Sequence, residues 1–472
     1  MQKQERAYWL AGVLALPVVV ISLSVVRSTL VGGTPITLPE NKKLVASVDV
    51  MNPWALVGSP TCSARSCHGA IEPERDENDL RKCWQNEYTQ WADDPHANAY
   101  RVLFEKCSQD IAKLLGLKNA HEAPRCLACH AAPMLAELPK DDPLVVTEKQ
   151  FGVGCESCHG SASKWLHEHT SKIWRDKSVD EKWEQYRMVP VGDPVRRARA
   201  CAGCHVGAPP AKDGLEPRDV NHDLIGAGHP RLTFEMGAFQ ANMHPHWRPQ
   251  DKRSPDEKKK AIPESRLWTA GQFASAEAAL EHLIYRANDN KLPWPELAEF
   301  DCYACHHFLR EPSWRQTADL RGRSRKPGQA AWGSWYFALP RYLSEKKDAE
   351  HKALAKFAAS IQLGTKRETA AREAAKALTT LRKLAKDFEK ANAFNRIQAV
   401  IKAEKGEIAE SWDSAEQLYL ALHALKPTPE LSRIAPYRAF KANFATPNSY
   451  PKAGEPSNSP RDFFEKMKEL VK

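Results

Sequence analysis

The distribution of apolar residues divides the chain into three kinds of segment. Residues 7–26 (AYWLAGVLALPVVVISLSVV) carry no charge, and about 20 helical residues span about 30 Å, the thickness of a bilayer's hydrocarbon core. From residue 62 to residue 306 the chain is rich in Pro, Gly and His and has few long apolar periodic runs. After about residue 330, apolar residues recur at helical spacing. We therefore predict a membrane helix, a central region that cannot build an ordinary core alone, and a C-terminal helical bundle.

Two stretches of the central region predict helices. Asp94-Pro95 is typical of a helix start, with Asp as the N-cap and Pro at the first helical position. Residues 97–115 continue this helix in the prediction. Residues 271–287 (GQFASAEAALEHLIYRA) predict a second helix.

The C-terminal region predicts a bundle. Residues 350–440 are rich in Ala, Lys, Glu and Leu, and their apolar positions indicate three to five packed helices. Residues 445–459, rich in Pro, Ser and Asn, predict a loop, and residues 460–471 a last short amphipathic helix. The predicted fold class is therefore mainly α, with little sheet.

The apolar N-terminal segment predicts the compartment. Lys3 and Arg6 precede residues 7–26, and the positive flank of a membrane helix stays in the cytoplasm. No cleavage site of the A-x-A kind follows, which favours an uncleaved anchor over the alternative, a cleaved signal segment. We expect residues 1–6 to be a cytoplasmic tail, residues 7–26 a single-pass anchor in the bacterial inner membrane, and residues 27–57 a linker to a periplasmic domain.

Cysteines and histidines carry the candidate chemistry. The chain has 12 cysteines, all between residues 62 and 305, and in an exported chain this indicates disulfides or haem attachment. In the sequence C-x-x-C-H, the two thiols bond the two vinyl groups of one haem and the histidine reaches its iron. Four segments have this sequence: Cys126-Leu-Ala-Cys129-His130, Cys155-Glu-Ser-Cys158-His159, Cys201-Ala-Gly-Cys204-His205 and Cys302-Tyr-Ala-Cys305-His306.

A fifth segment has a longer spacing. In Cys62-Ser-Ala-Arg-Ser-Cys67-His68, four residues separate the cysteines, and we interpret the extra residues as a loop beside an attached haem. The alternative is a disulfide at Cys62 and a coincidental Cys67-His68 pair. Zinc is the alternative for the whole set, but zinc sites do not need a histidine after every second cysteine. The sequence therefore predicts five haem c groups with iron, each with a proximal histidine.

Two cysteines, Cys83 and Cys107, remain outside these pairs. Neither precedes a histidine. In an oxidising compartment we expect a disulfide between them, and two buried free thiols are the alternative.

An electron-transfer haem also needs a ligand on the second face of its iron, usually histidine in crowded multihaem proteins. His96 follows the predicted helix start, and His229 lies in Gly-Ala-Gly-His-Pro-Arg-Leu, where glycine permits close approach to a haem. His167 is the third candidate, with His169 as its rival. The remaining histidines are His121, His222 and His246, which stay undecided, His244, His282 and His307, which we interpret as bystanders, and His351 and His423 in the predicted bundle.

The motif region resembles the cytochrome c554 family of multihaem cytochromes. The resemblance covers about residues 62–205 and is most specific in Gly152-Val-Gly-Cys-Glu-Ser-Cys-His-Gly160, with Trp91 and Asp94-Pro95-His96-Ala97 before it. The remainder looks like larger five-haem relatives. The resemblance implies a mostly helical fold with closely spaced haems. It also implies that His96 serves the haem of His205 and that His167 serves the haem of His68.

The same resemblance leaves one haem open to two interpretations. In tetrahaem members, the haem that matches His130 lacks a sixth protein ligand, whereas His121 and His246 are available here. A five-coordinate haem at His130 would suit the alternative function, a haem enzyme that acts on a small nitrogen or sulfur compound.

We predict an electron carrier, because no other catalytic set stands out beside the haem motifs. Residues 58–330 are the predicted haem domain and residues 331–472 the helical region, for which partner docking or simple capping are the two hypotheses. Redox proteins are the expected partners. The formal charge is +9, but five ferric haems with their propionates add about −5, so nucleic-acid binding is not predicted.

Overall fold

The computed structural model describes residues 55–71, 85–212, 214–247, 263–306, 329–344, 348–387, 393–403, 411–426 and 460–470. The chain divides into two units, Met1–Pro35 and Ile36–Lys472, and every described residue belongs to the second. The predicted tail, anchor and C-terminal loop (1–6, 7–26 and 445–459) lie outside the described residues. Within the described part, no helix is long and apolar enough to cross a bilayer.

The described residues are mainly helical, which confirms the predicted fold class for this part of the chain. Their β pairing consists of two isolated antiparallel bridges, Ala208 with Arg218 and Phe300 with Trp332. The α-helices are α1 Glu87–Ala92, α2 Lys106–Leu114, α3 Pro124–His130, α4 Pro143–Glu148, α5 Cys155–His159, α6 Lys172–Asp176, α7 Val179–Tyr186, α8 Pro194–His205, α9 His222–Gly226, α10 Met236–Asn242, α11 Glu264–Asn288, α12 Ala349–Ser360, α13 Arg367–Asp387, α14 Ala393–Ala403, α15 Trp412–Leu425 and α16 Pro460–Leu470. Short 3₁₀ helices cover Ser59–Cys62, Pro95–Asn98, Arg101–Phe104, Ala120–Glu122, Pro133–Glu137, Lys149–Phe151, Ala162–Lys164, Glu168–Thr170, Leu297–Glu299, Cys302–Ala304 and Pro340–Leu343.

The helix start at Asp94 is confirmed, but the long helix predicted after it is wrong. Asp94 accepts a hydrogen bond from the backbone N–H of His96, as an N-cap does. The chain then forms two 3₁₀ turns and α2, with extended backbone at Glu105 (φ −68°, ψ 152°). Leu103 and Ala112 are buried in the same small cluster. The helical conformation is interrupted at Glu105 because the residues before and after it must both cover that cluster.

The helix predicted at 271–287 is confirmed and extends over α11, Glu264–Asn288. Nearly all of its residues between 267 and 287 are buried, so it is a central helix covered on all sides. Its buried Glu277 bonds Arg199 of α8 at 2.7 Å and also Arg382 of α13. Burying a charge is costly unless it is paired, and these pairs connect the helix that carries one haem motif to the C-terminal helices.

The C-terminal helices α12 to α15 lie in the region of the predicted bundle, and α16 confirms the predicted last short helix. Their apolar faces form the largest core, together with α11 and residues 330–343. Because Trp268 and Leu280 belong to this core with Leu418 and Met467, the described helices on both sides of residue 330 depend on each other for burial. This arrangement favours the capping hypothesis for the C-terminal region.

The part before α11 has smaller apolar clusters. Three of them contain three to five buried apolar residues each. Ordinary domains of this length bury more, since folding must offset the conformational entropy of every ordered residue. Flat apolar haems between these clusters would supply additional burial, as the sequence of this region predicts.

Candidate haem sites

The C-x-x-C-H motifs lie on short helical segments. Residues 126–130 end α3, residues 155–159 form α5, residues 201–205 end α8, and Cys302–Ala304 is a 3₁₀ helix. Positions i, i+3 and i+4 lie on one face of a helix, so two thiols and one imidazole are presented together. We name the five motifs by their histidines: site 1 (His68), site 2 (His130), site 3 (His159), site 4 (His205) and site 5 (His306).

Site 1 reaches a similar arrangement with its longer spacing. A 3₁₀ helix ends at Cys62. The backbone N–H groups of Cys67 and His68 both donate to the carbonyl of Ala64, at 2.8 and 3.1 Å. A helical turn therefore precedes His68 as in the other motifs, and Ser63 and Ala64 take up the extra length. Cys62 and Cys67 form no disulfide with a described residue.

Four of the proximal histidines each face a second histidine across a gap of similar width. The ring-centroid separations are 6.2 Å for His68 and His169, 6.3 Å for His130 and His229, 5.8 Å for His205 and His96, and 6.2 Å for His306 and His222. A metal–imidazole bond of about 2.0 Å on each side places two ring centres about 6.3 Å apart. The four gaps therefore fit one iron atom between the paired rings.

At site 3, the charge of His246 identifies this residue as a neighbour of His159. Burial and then the charge of His246 lower the pKa of His159 to about 4. Among the charged groups around His159, His246 has the largest effect, ahead of His68. A neutral imidazole is the form that binds a metal. Burial likewise lowers the pKa of His205 to about 3, with smaller effects from His96 and His130.

Hydrogen bonds at Nδ1 leave Nε2 available on several of these rings. A bond at Nδ1 fixes the tautomer and the orientation of a metal-binding histidine. Backbone carbonyls accept at four rings, in the pairs His130 with Ala99 (2.7 Å), His229 with Pro230 (2.8 Å), His169 with Leu166 (2.5 Å) and His246 with His244 (3.4 Å). Carboxylates accept at two rings, in the pairs His68 with Glu87 (2.9 Å) and His96 with Asp94 (2.7 Å).

The ring that faces His68 is that of His169, and not that of His167 as the resemblance implied. His167 is exposed and precedes the 3₁₀ helix Glu168–Thr170. This turn directs the two histidines differently, and the His169 ring packs edge-on against Trp165 at 5.3 Å. His167 is therefore corrected to an exposed bystander in this geometry.

Other histidines are engaged elsewhere. His121 stacks on Phe104 with ring centroids 4.2 Å apart. The Nε2 of His282, the nitrogen that a haem iron would need, donates to the carbonyl of Arg218 at 2.9 Å. The two bundle histidines lie beside Arg341 and Glu264. His307 lies outside the described residues, as does Cys83, so the Cys83–Cys107 disulfide stays a prediction.

The carboxylates of Asp94 and Glu87 bond two of the facing imidazoles, a role that the sequence motifs had not indicated. Asp94 was assigned only as a helix cap, yet it is 1% exposed and also bonds the His96 side chain. Burial raises its pKa, but hydrogen bonds from His96 and from the His244 backbone outweigh burial and hold the pKa at about 2. The spacing Asp-Pro-His was the available signal, because an Asx side chain bonds groups two residues ahead.

Contacts between cysteines indicate which motifs are neighbours. The thiols of Cys62 and Cys155 interact electrostatically, and so do those of Cys129 and Cys204. Sites 1 and 3 are therefore adjacent, and so are sites 2 and 4. Burial and then the charge of the site 4 cysteines raise the pKa of Cys158 to about 12, which makes sites 3 and 4 neighbours.

Site 5 adjoins site 2 through the segment around α9. His222 faces site 5 and His229, seven residues later, faces site 2. Arg125, directly before the site 2 motif, donates to the side chain of Asn221 at 3.0 Å. One short segment, α9 and the residues directly after it, therefore places a histidine opposite each of the two sites.

The described residues contain no cluster of three or more His, Cys, Asp or Glu side chains that could hold a metal ion without a cofactor. A haem needs fewer protein ligands, because its ring supplies four nitrogens and the protein only the two axial groups. The opposed imidazoles, with paired cysteines beside one of them, fit haem c.

Comparisons with known proteins agree with this geometry. Residues 80–160 match the family model described as cytochrome c554 and c-prime. The chain is 24% identical over 177 residues to cytochrome c-554 of Nitrosomonas europaea, an alignment that covers 35% of this chain and 72% of the relative. No solved structure gives a significant match. The chain is therefore a haem electron-transfer protein that resembles the multihaem cytochromes of the c554 family.

Proposed function

We propose that the chain carries electrons through five covalently attached haems c in the periplasm, held at the inner membrane by residues 7–26. The observation that carries the proposal is the set of opposed histidines, which gives sites 1, 2, 4 and 5 a second axial group across an iron-sized gap. At site 3 we assign this role to His246, because its charge affects His159 more than that of any other neighbouring charged group. The attachment residues are Cys62, Cys67, Cys126, Cys129, Cys155, Cys158, Cys201, Cys204, Cys302 and Cys305, and the proximal ligands are His68, His130, His159, His205 and His306.

Haem iron would supply the one-electron redox change when bound. The protein's own residues would hold an imidazole on each face of the iron, so that electron transfer would need no bond to the iron to be made or broken. The distal ligands in this proposal are His96, His169, His222, His229 and His246. A second histidine opposite the motif histidine at sites 1, 2, 4 and 5 favours a carrier over a site that binds substrate.

The neighbouring motifs give an order for transfer: site 1, site 3, site 4, site 2 and site 5. Cys67 of site 1 and Cys305 of site 5 are exposed, whereas the other motif cysteines are partly buried. The two ends of the order are thus the sites most open to solvent. Partner proteins would donate and accept electrons there.

The alternative, a haem enzyme for a small nitrogen or sulfur compound, requires an open iron face. Site 2 was its best candidate in the sequence. His229 faces His130 at 6.3 Å, and its Nδ1 donates to the carbonyl of Pro230. This geometry supports a six-coordinate iron at site 2 and does not favour the enzyme.

The test uses the full chain, produced with a bacterial haem-maturation system and extracted from membranes with detergent. Its mass should exceed the 53.0 kDa of the polypeptide by five haem groups. Its ferric electron paramagnetic resonance spectrum should contain only low-spin signals. A mass that corresponds to four haems would remove site 1 from the proposal. A high-spin signal would favour the alternative, a haem enzyme. Release of the protein by a salt wash without detergent would contradict the anchor.

A further inference from the structure

Six of the axial imidazoles have a hydrogen bond at Nδ1, and two of them differ from the other four in the charge of the acceptor. His68 Nδ1 donates to the carboxylate of Glu87 at 2.9 Å, and His96 Nδ1 donates to that of Asp94 at 2.7 Å. At His130 and at the distal ligands of sites 1, 2 and 3, the acceptor is instead a neutral backbone carbonyl. The difference is one negative charge.

Asp94 is held rigidly in this position. Its Oδ1 accepts from both the backbone N–H and the ring of His96. Its Oδ2 accepts from the backbone N–H of His244 at 2.8 Å. The carboxylate is 1% exposed, so water screens its charge little. Glu87 is more open, with 25% of its side chain exposed.

A negative acceptor makes the imidazole a stronger electron donor to its metal, because the ring shares its Nδ1 proton with the carboxylate. A fixed negative charge near iron also stabilises the ferric state, which carries one more positive charge than the ferrous state. Both effects lower the reduction potential. Hydrogen bonding around axial ligands is one of the protein's means of setting that potential.

We propose that Asp94 and Glu87 are positioning residues that lower the reduction potentials of the haems at sites 4 and 1. The proposal rests on the five-haem function above. Asp94 has a second effect, because it also holds the backbone at His244, two residues before the distal ligand of site 3. The sites with a carboxylate are separated by site 3 in the proposed order of transfer.

The experiment is a potentiometric titration of the full, haem-loaded chain and of the variants Asp94→Asn and Glu87→Gln, which keep the shape and remove the charge. At a fixed applied potential, the ratio of ferrous to ferric haem at site 4 should rise at least tenfold in Asp94→Asn, equal to about 59 mV for one electron. Glu87→Gln should shift site 1 in the same direction by less, because Glu87 is more exposed. Low-spin resonance signals should persist in both variants, since the imidazoles remain.

Asp110→Asn is the matched control, because Asp110 is an exposed carboxylate that pairs with Lys106. It should leave all five potentials in place. Unchanged potentials in Asp94→Asn and Glu87→Gln, with five haems and low-spin signals retained, would overturn the inference while leaving the carrier intact. If Asp94→Asn does not take up its haems, Glu87→Gln alone decides. Fewer than five haems or a high-spin signal in the unmodified chain would instead count against the proposed function.

Discussion

The imidazole rings of His130 and His229 lie with their centroids 6.3 Å apart and their planes at 88°. The two residues are 99 positions apart in the chain, on α3 and on the segment after α9. This relationship gives site 2 a second histidine opposite His130. Site 2 is the one site at which the sequence allowed an iron with one open face. It also provides the most direct test of whether the protein binds substrate.

Replacing His229 with Ala should open site 2. One of the five haems should become high-spin in the ferric state, and the ferrous protein should bind carbon monoxide at about one haem per chain, since only that iron loses its sixth ligand. Absorption and resonance spectra measure both changes. His121→Ala is the control, because His121 stacks on Phe104 and should leave the spectra unchanged. Carbon monoxide binding to the unmodified chain at the same level would show that His229 is not the ligand.

His169 and His167 give a matched pair at site 1. His169→Ala should convert one haem to high spin, because the His169 ring faces His68 at 6.2 Å. His167→Ala should have no such effect, since His167 is exposed. The ferric resonance spectrum distinguishes the two. The reverse result would restore the ligand that the resemblance implied.

The angles between paired rings should divide the low-spin signals into two classes. The planes are at 17° in site 1 and 30° in site 5, but at 86° in site 4 and 88° in site 2. Near-perpendicular imidazoles leave two iron d orbitals almost equal in energy, which makes the resonance strongly anisotropic, whereas near-parallel imidazoles give an ordinary rhombic signal. Both classes should appear in the ferric spectrum, with at least two haems each. A spectrum of one class would contradict these ring orientations.

Replacing Cys62 and Cys67 together with Ser should remove one haem. Without thioether bonds the haem of site 1 is no longer covalently held. Mass spectrometry of the denatured protein should therefore show four haems. Cys107→Ser should retain five, because Cys107 belongs to no motif. Five haems in the double variant would mean that site 1 does not attach one.

The buried pair of Arg231 and Asp413 should be important for stability. Arg231 bonds both carboxylate oxygens of Asp413, at 2.8 and 2.7 Å, and Asp413 is fully buried. Asp413→Ala should lower the free energy of unfolding by about 3–5 kcal/mol, because the buried ion pair with Arg231 loses both of its hydrogen bonds. Urea unfolding of the haem-loaded protein measures the loss. Asp110→Asn serves again as the control and should leave the midpoint in place.

The sequence by itself predicted the positions at which haem would be attached. Two cysteines and a histidine within five residues form a local motif, and one helical turn brings them together wherever it is placed in the fold. Apolar residues that recur at helical spacing likewise predicted α11 and the C-terminal helices, because the buried face of a helix is formed by residues of that helix alone. Even the longer site 1 motif follows this rule, since a turn at Ala64 rebuilds the local geometry.

Only the tertiary structure decided which histidines face one another. His229 and His130, or His222 and His306, come from segments about 80 to 100 residues apart, and no local spacing relates such positions. His167 and His169 differ by two residues, so a single 3₁₀ turn determined which ring points to His68. The second role of Asp94 was also not visible in the sequence. An Asp that caps a helix and an Asp that accepts a hydrogen bond from an imidazole occupy the same position in the Asp-Pro-His segment. Distal coordination is a property of packing between segments, whereas attachment is a property of one helical turn.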